Sequence, residues 1–368
     1  MKRCKKGLAL MLSVIMAMSM SPTMVFAEGD DGPVIVEPAP GETDADVDDE
    51  EESEEDTEES EESEEESEEE SEEESEEESE EESEDESEEE SDEESEEESE
   101  EESEEESEYE TEEETLNDDI VVLFTNDTHC TIASPGEESV GFAGVAALYE
   151  ERAEEYEYVT LVDAGDEIQG NLAGALSKGT YMIDIFNEVG YSYAVPGNHE
   201  FDFGMSNFLD VIEPMAEYQF LSANFKHADG TTVFEPYAME ECGDKKVAFV
   251  GISTPETYTK STPKYFQDED GNFIYNFCEG GNGQNLYDAV QMAVDDALSD
   301  GADYVIAIGH LGIDTESEPW TSELVAANTS GIDAFIDGHS HSTFAGKEVT
   351  NKDGEIVTIT QTGTALAN

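Results

Sequence analysis

From Asp119 onward, short apolar runs alternate with longer stretches at helical spacing. Asp119–Thr125 (D-I-V-V-L-F-T) predicts a strand, Tyr158–Val162 a second, and Tyr191–Val195 a short third ended by Pro196-Gly197. Phe220–Asn224, Lys246–Ser253, Tyr304–Ile308 and Ala334–Ile336 predict further strands, the last two buried. Val349–Thr350 and Ile356–Thr360 predict a closing hairpin across Asn351-Lys352-Asp353-Gly354. Gly141–Tyr156, Asn171–Val189 and Asn285–Leu298 have helical spacing; the last places Leu286, Ala289, Met292, Ala293 and Ala297 on one side. Strands alternating with helices indicate an α/β architecture, in which ligand sites gather at the strands' carboxyl ends.

The first 115 residues follow a different pattern. Lys2, Arg3, Lys5 and Lys6 precede an apolar run, Gly7–Met20, and Val25-Phe26-Ala27 offers small residues at both cleavage positions. Residues 1–27 therefore read as a secretory signal peptide, and the mature chain is expected to carry no transmembrane helix. Residues 28–115 then hold 57 of the 101 acidic residues and no Lys or Arg, mostly as repeated Ser-Glu-Glu-Glu. Like charges at i, i+4 repel, and almost nothing apolar is present to bury, so the tract is expected to be disordered and extended. It reads as a solvated spacer; loose binding of calcium is its functional alternative.

The formal net charge is −88. A chain this acidic will not bind nucleic acid polymers through a basic patch. Residues 116–368 are enough for one full-sized domain. After signal cleavage three cysteines remain: Cys130, Cys242 and Cys278. Cys242 with Cys278 is a possible pair, and Cys130 reads as a small buried residue.

The chemistry lies where the apolar runs end. Five of the six histidines fall in T-N-D-T-H (125–129), G-N-H-E-F-D (197–202), G-H (309–310) and G-H-S-H (338–341), and D-A-G-D (163–166) has the same shape without histidine. One such motif is common by chance; five in order, each after a predicted strand, point to a single polynuclear metal site. Asp127 and His129 can face one ion from an extended turn, and the two oxygens of Asp166 can bridge two. Asn198 offers an amide oxygen, and His310, His339 and His341 add imidazoles. Mixed nitrogen and oxygen donors suit Zn, Mn, Fe or Co better than calcium. Two such ions about 3.5–4 Å apart form a clamp for in-line attack at phosphorus. His199 is left over, with Asp202 three residues on at the start of an expected helix. That Asp can hold the imidazole charged, ready to protonate a leaving oxygen or stabilise the transferring phosphoryl group. His227, in F-K-H-A-D-G, reads as a bystander, and Trp320 as packing.

The ordered set T-N-D-x-H, D-A-G-D-x-x-Q-G, G-N-H-E-F-D-x-G and G-H-S-H resembles the calcineurin-like metallophosphoesterases, and within them the 5'-nucleotidase branch, from about Ile120 to the chain end. The resemblance implies a four-layer α/β/β/α sandwich. It implies two divalent metal ions (Zn, Mn or similar), one on Asp127, His129, Asp166 and His341, the other on Asp166, Asn198, His310 and His339. It further implies Asn198 as a contact for the substrate and His199 with Asp202 as the catalytic dyad. The implied reaction is metal-hydroxide attack on a nucleoside monophosphate outside the cytoplasm, the protein being secreted or attached to the cell surface. A 2',3'-cyclic-nucleotide phosphodiesterase, a nucleotide-sugar hydrolase and a non-catalytic cation-binding surface protein are the alternatives. Family members continue into a second domain whose aromatic residues stack the base. This sequence stops at Asn368 within Q-T-G-T-A-L-A-N, so a catalytic domain without that base-recognition half is expected.

Overall fold

The computed structural model describes residues 10–14, 116–133 and 140–367. The export-signal and acidic-spacer readings lie outside the described residues, except that Leu10–Val14 forms a strand, β1. The first sheet has the order β1-β2-β3-β4-β5, all parallel, with β2 Asn117–Thr125, β3 Tyr156–Asp163, β4 Tyr193–Ala194 and β5 Gln219–Phe220. Lys226–His227 (β6) and Tyr275–Asn276 (β9) make a separate two-stranded ladder. The second sheet runs β12-β13-β11-β10-β8-β7. Its strands are β7 Tyr237–Cys242, β8 Lys245–Ile252, β10 Tyr304–Gly309, β11 Ala334–Ile336, β12 Thr343–Thr350 and β13 Ile356–Thr362. Its four central strands are parallel; β7 and β12 close the edges antiparallel.

Alternation along the strands assembles the layers. In β2, Ile120, Val122 and Phe124 face one cluster while Val121 and Leu123 face another, which is why this run is apolar without interruption. The first cluster lies between the sheets, where these side chains meet Val247 and Phe249 of β8 and Ile306 and Ile308 of β10. The second packs the outer face of the first sheet against Phe142 and Val145 of one helix and Met182, Ile183 and Phe186 of another. The third packs the outer face of the second sheet against Leu286, Val290, Ala293 and Val294. Helices therefore cover both outer faces, and the expected four-layer α/β/β/α sandwich is the fold. Each fully buried Leu, Ile, Val or Phe contributes roughly 1.5–3 kcal/mol of transfer free energy.

Several local expectations are corrected. The helix expected over 171–189 is two, Leu172–Ser177 and Thr180–Val189. Lys178 and Gly179 between them are both left-handed, at φ 52° and 93°, a C-cap that glycine readily continues. The strand expected over 191–195 shortens to Tyr193–Ala194, and that over 220–224 to Gln219–Phe220. The helix expected to begin at Asp202 starts three residues later: a 3-10 turn, His199–Phe201, precedes Asp202, and a helical stretch with π geometry over Phe208–Ile212 runs from Met205 to Met215. Met292 is 60% exposed, because the buried stripe of helix Gln284–Ser299 follows Leu286, Val290, Ala293 and Ala297 and passes it by. Cys130, Cys242 and Cys278 are all free thiols. Among the described residues no helix is long and apolar enough to cross a membrane.

Candidate metal centre

Parallel strands bring their carboxyl ends to one side of the molecule, and the five motifs sit there. Asp127, Asp166 and Asn198 follow β2, β3 and β4 of the first sheet; His310 and His339 follow β10 and β11 of the second. Backbone hydrogen bonds tie the loops together: Asp127 N donates to Gly165 O over 2.9 Å and His129 N to Asp166 O over 2.9 Å. Asp127, His129, Asp166, His339 and His341 all adopt positive φ, between 47° and 76°. Left-handed backbone at non-glycine residues costs of order 1 kcal/mol or more each, and it tends to cluster where geometry serves a site. Gly197 is required by the same crowding, since a Cβ there would overlap Asp166 Oδ1.

The side chains converge. His310 Nε2 lies 3.1 Å from Asp166 Oδ2 and 3.9 Å from Asp127 Oδ1. His129 Nε2 lies 4.0 Å from Asp127 Oδ1, 3.9 Å from Asp166 Oδ2 and 3.0 Å from His341 Nε2. His341 Nε2 is 3.4 Å from Asp127 Oδ1, and His339 Nδ1 is 3.2 Å from His310 Nε2. Three groups emerge, Asp127 with His129 and His341, His129 with Asp166 and His199, and Asp166 with His310 and His339; within each, one donor atom per residue lies within 4.8 Å of the others. Asp127 and Asp166 are fully buried, so both charges are held away from water.

Outer hydrogen bonds decide which nitrogen of each ring faces inward. His129 Nδ1 donates to Gln169 O over 3.0 Å and His310 Nδ1 to Ala164 O over 2.7 Å, so both rings present Nε2. His339 is the reverse: its Nε2 donates to Glu256 Oε2 over 2.8 Å and its Nδ1 faces His310. Burial alone would lower the pKa of His310, but the charge and hydrogen bond of Asp166, with Asp127 and Glu200, raise it to about 10. Burial likewise opposes ionisation of Asp166, yet His310, His199 and His129 hold its carboxyl far below the usual range. A ring nitrogen in such surroundings holds a cation; a divalent ion competes for the same atom as the proton.

The donor set fits a transition-metal dication: imidazole nitrogens, two carboxylates and an amide oxygen. Asn198 supplies an independent sign. Its Oδ1 is buried with no hydrogen-bond partner among the described residues. Such an orphan costs about 1–3 kcal/mol unless a donor or a cation faces it.

His199 and Asp202 stand beside this cluster. His199 N donates to Asp166 Oδ1 over 2.9 Å, its Nδ1 lies 2.5 Å from Asp202 Oδ2, and its ring is 5.3 Å from that of His129. Ser261 Oγ donates to the other Asp202 oxygen over 2.9 Å. Burial works against a charged imidazole here, but the Asp202 hydrogen bond and the charges of Asp166, Asp202 and Glu200 outweigh it and raise its pKa to about 9. Asp127, His129, Asp166, His310, His339 and His341 are thus brought together, with His199 and Asp202 beside them; Asn198 adjoins His199 in the chain. His227 is elsewhere, its ring 5.2 Å from Tyr275 on the small ladder. Cys130 is buried, and burial followed by the Glu200 charge pushes its thiol up to about 12, which leaves it a packing residue.

Two acidic residues escaped sequence reasoning. Glu200, inside G-N-H-E-F-D, is wholly buried and accepts from the backbone amides of Gly197, Asp166 and Glu167. Glu256 follows β8 and touches His339. The signal for Glu256 was present, an acid four residues past an apolar strand, but no histidine marked it.

A sequence model of the family described as calcineurin-like phosphoesterase matches residues 120–343. The chain is 30% identical over 249 residues to a 5'-nucleotidase of Diplobatis ommata, covering 63% of this chain and 39% of that one. It is 27% identical over 258 residues to the trifunctional nucleotide phosphoesterase protein YfkN of Bacillus subtilis, covering 62% of this chain and 17% of that one. The crystal structure of a 5'-nucleotidase precursor from Thermus thermophilus superposes with a TM-score of 0.53 at 24% identity, covering 66% of this chain and 48% of that one, a likeness of fold. The chain spans about two-fifths of the length of the 5'-nucleotidases it matches.

Proposed function

The chain belongs to the calcineurin-like phosphoesterase family, and on that premise we propose that it is an exported, dinuclear metal-dependent hydrolase of nucleotide phosphate esters, nucleoside 5'-monophosphates first. The observation that carries this reading is the meeting of two of these donor groups, Asp127–His129–His341 and Asp166–His310–His339, over two fully buried carboxylates. Asp127, His129, Asp166 and His341 would hold one ion, and Asp166, Asn198, His310 and His339 the other. When bound, the pair supplies Lewis acidity toward phosphate oxygens and lowers the pKa of a coordinated water.

The chain's own residues supply the rest. Asp202, steadied by Ser261, orients the His199 ring and keeps it protonated near neutral pH. From that position the ring can donate a hydrogen bond to the phosphoryl group or a proton to the leaving oxygen. The amide of Asn198 would contact the phosphate as well as its ion. The nucleotide substrate is supported by the similarity to 5'-nucleotidases, and the trifunctional name of YfkN widens the set of nucleotide esters worth testing. Export is supported by the leader at 1–27, and the tract at 28–115 is a spacer between the domain and the cell envelope. The test is phosphate release by the purified full chain, loaded with Zn²⁺ or Mn²⁺. The panel comprises nucleoside monophosphates, 2',3'-cyclic nucleotides, nucleotide sugars and a non-nucleotide ester. Nucleoside monophosphates should be turned over fastest. Preference for the non-nucleotide ester would remove the nucleotide assignment, and no release at any metal loading would leave the cation-binding alternative.

A further inference from the structure

Glu256 lies on the loop that follows β8, one strand over from His310 in the second sheet. Its Oε2 accepts from His339 Nε2 over 2.8 Å and from Ser317 Oγ over 2.6 Å. Both partners are fixed from elsewhere. Ser317 sits in a 3-10 turn in the loop after β10 and is buried, and His339 N donates to Asp127 Oδ2 over 2.9 Å. Thr254 Oγ1 accepts from Glu256 N over 3.1 Å and holds the carboxylate's own backbone. Glu256 and His339 are each about 10% exposed or less at the side chain, so the contact is shielded from bulk water.

The consequence is specific to one imidazole. His129 and His310 are oriented by backbone carbonyls at Nδ1 and present Nε2 inward. His339 is oriented by a carboxylate at Nε2 and presents Nδ1, the nitrogen nearer its own backbone. A short approach of this kind is usable only if the ring neither flips nor changes tautomer. A charged acceptor on the far nitrogen enforces both conditions and makes the inward nitrogen a better donor.

We infer that Glu256 is a positioning residue: it locks His339 in the Nδ1-inward state and thereby sets the affinity of the site built on Asp166, Asn198, His310 and His339, leaving the Asp127–His129–His341 side largely untouched. The inference rests on the dinuclear reading above.

The experiment is a Zn²⁺ titration, against a competing chelator, of the metal-stripped full chain as wild type, Glu256→Ala, Glu256→Gln and Ser317→Ala. Wild type should bind two tight ions. Glu256→Ala should keep one at wild-type affinity and bind the other about 10- to 100-fold more weakly, the range for loss of a carboxylate that orients a metal-binding imidazole. Glu256→Gln retains an acceptor for His339 without the charge and should recover part of that loss; Ser317→Ala should show a smaller loss at the same site. The metal-free melting midpoint of Glu256→Gln should match wild type, that of Glu256→Ala should be somewhat lower because the buried Ser317 hydroxyl loses its acceptor, and the visible spectrum of the Co²⁺-loaded protein should change most in the Glu256 variants. Two unchanged sites in Glu256→Ala would overturn the inference. So would equal weakening of both sites, which is the signature of a merely structural role. If Glu256→Ala does not fold, Glu256→Gln with full two-site affinity and an unaltered Co²⁺ spectrum would overturn it equally. Absence of tight Zn²⁺ binding in wild type would instead sink the dinuclear reading itself.

Discussion

The backbone amide of Asp166 donates to the Glu200 carboxylate over 3.1 Å, and this contact fastens the loop after β3 to the loop after β4. Gly197 N, Glu167 N and Ile168 N donate to the same carboxylate over 2.6, 3.0 and 3.4 Å, so one buried side chain closes four amides of two motif loops. The Asp166 carboxylate can face the histidines because its backbone is held from behind in this way. Burial, with the Asp166 charge, raises the pKa of Glu200 to about 7.

Replacing Glu200 with Ala leaves those amides buried without an acceptor, at about 1–3 kcal/mol each. The variant is therefore expected to lose at least about 3 kcal/mol of stability and most of its metal affinity. Glu200→Gln keeps one acceptor oxygen and should lose less. Urea unfolding of the metal-free proteins measures both. An Ala variant as stable as wild type would mean that the loops are held by the β-ladder alone.

On the proposed reading, His199→Asn should lower turnover by about 10²–10⁴-fold while leaving the metal content unchanged, because the ring, although within reach of Asp166 and His129, acts there as the acid and not as a ligand. Asp202→Asn should have a smaller effect in the same direction, since Ser261 still anchors the side chain and only the charge facing the imidazole is lost. Metal content by elemental analysis alongside kcat separates the two roles. Full turnover in the His199→Asn variant would remove the dyad assignment.

The layers and the site were largely legible in the sequence, and for one reason. Strands buried on both faces are uninterrupted apolar runs, so the end of most runs could be located to a residue or two, the strand at Gln219–Phe220 excepted, and the polar motifs begin there. Asp127 after Thr125 and His310 after Gly309 are the clearest cases. What stayed hidden depends on contacts distant in sequence. Glu256 gains its meaning only because Ser317 and His339 come to it across 61 and 83 residues. The edge strand Tyr237–Cys242 is half exposed and polar in part, so its pattern is weak beside that of β8. Met292 satisfied the helical spacing and still faces solvent, since spacing defines a stripe but not which flank of it meets the sheet. The break at Lys178-Gly179 is a backbone event that a run of good helix formers conceals.

Removal of metal should destabilise the folded chain. Asp127 and Asp166 are fully buried carboxylates, and ions that bind them in the native state but not in the unfolded chain stabilise by mass action. At an ion concentration about 100 times Kd, one site contributes about 2.7 kcal/mol. The thermal midpoint should rise with Zn²⁺ or Mn²⁺ and fall with chelator, and Ca²⁺ should do much less because the donors are largely imidazole nitrogen. Equal shifts with Ca²⁺ would point to the acidic tract as the source of the binding.

Deleting residues 44–115 should leave kcat unchanged, because every donor atom of the centre lies after Asp119. KM is a different matter. The substrates proposed here are anions, and the tract tethers a dense run of carboxylates to the same chain. Repulsion lowers the local concentration of an anionic substrate, and it is screened within about 10 Å at 0.1 M salt and about 30 Å at 0.01 M. Deletion is therefore expected to lower KM for a nucleoside monophosphate at about 0.01 M salt and to have no effect near 1 M, where screening is complete within about 3 Å. A neutral probe of metal access, such as an uncharged chelator, should show no such salt dependence. Loss of kcat on deletion would mean that the tract takes part in folding or in the reaction and is more than a spacer.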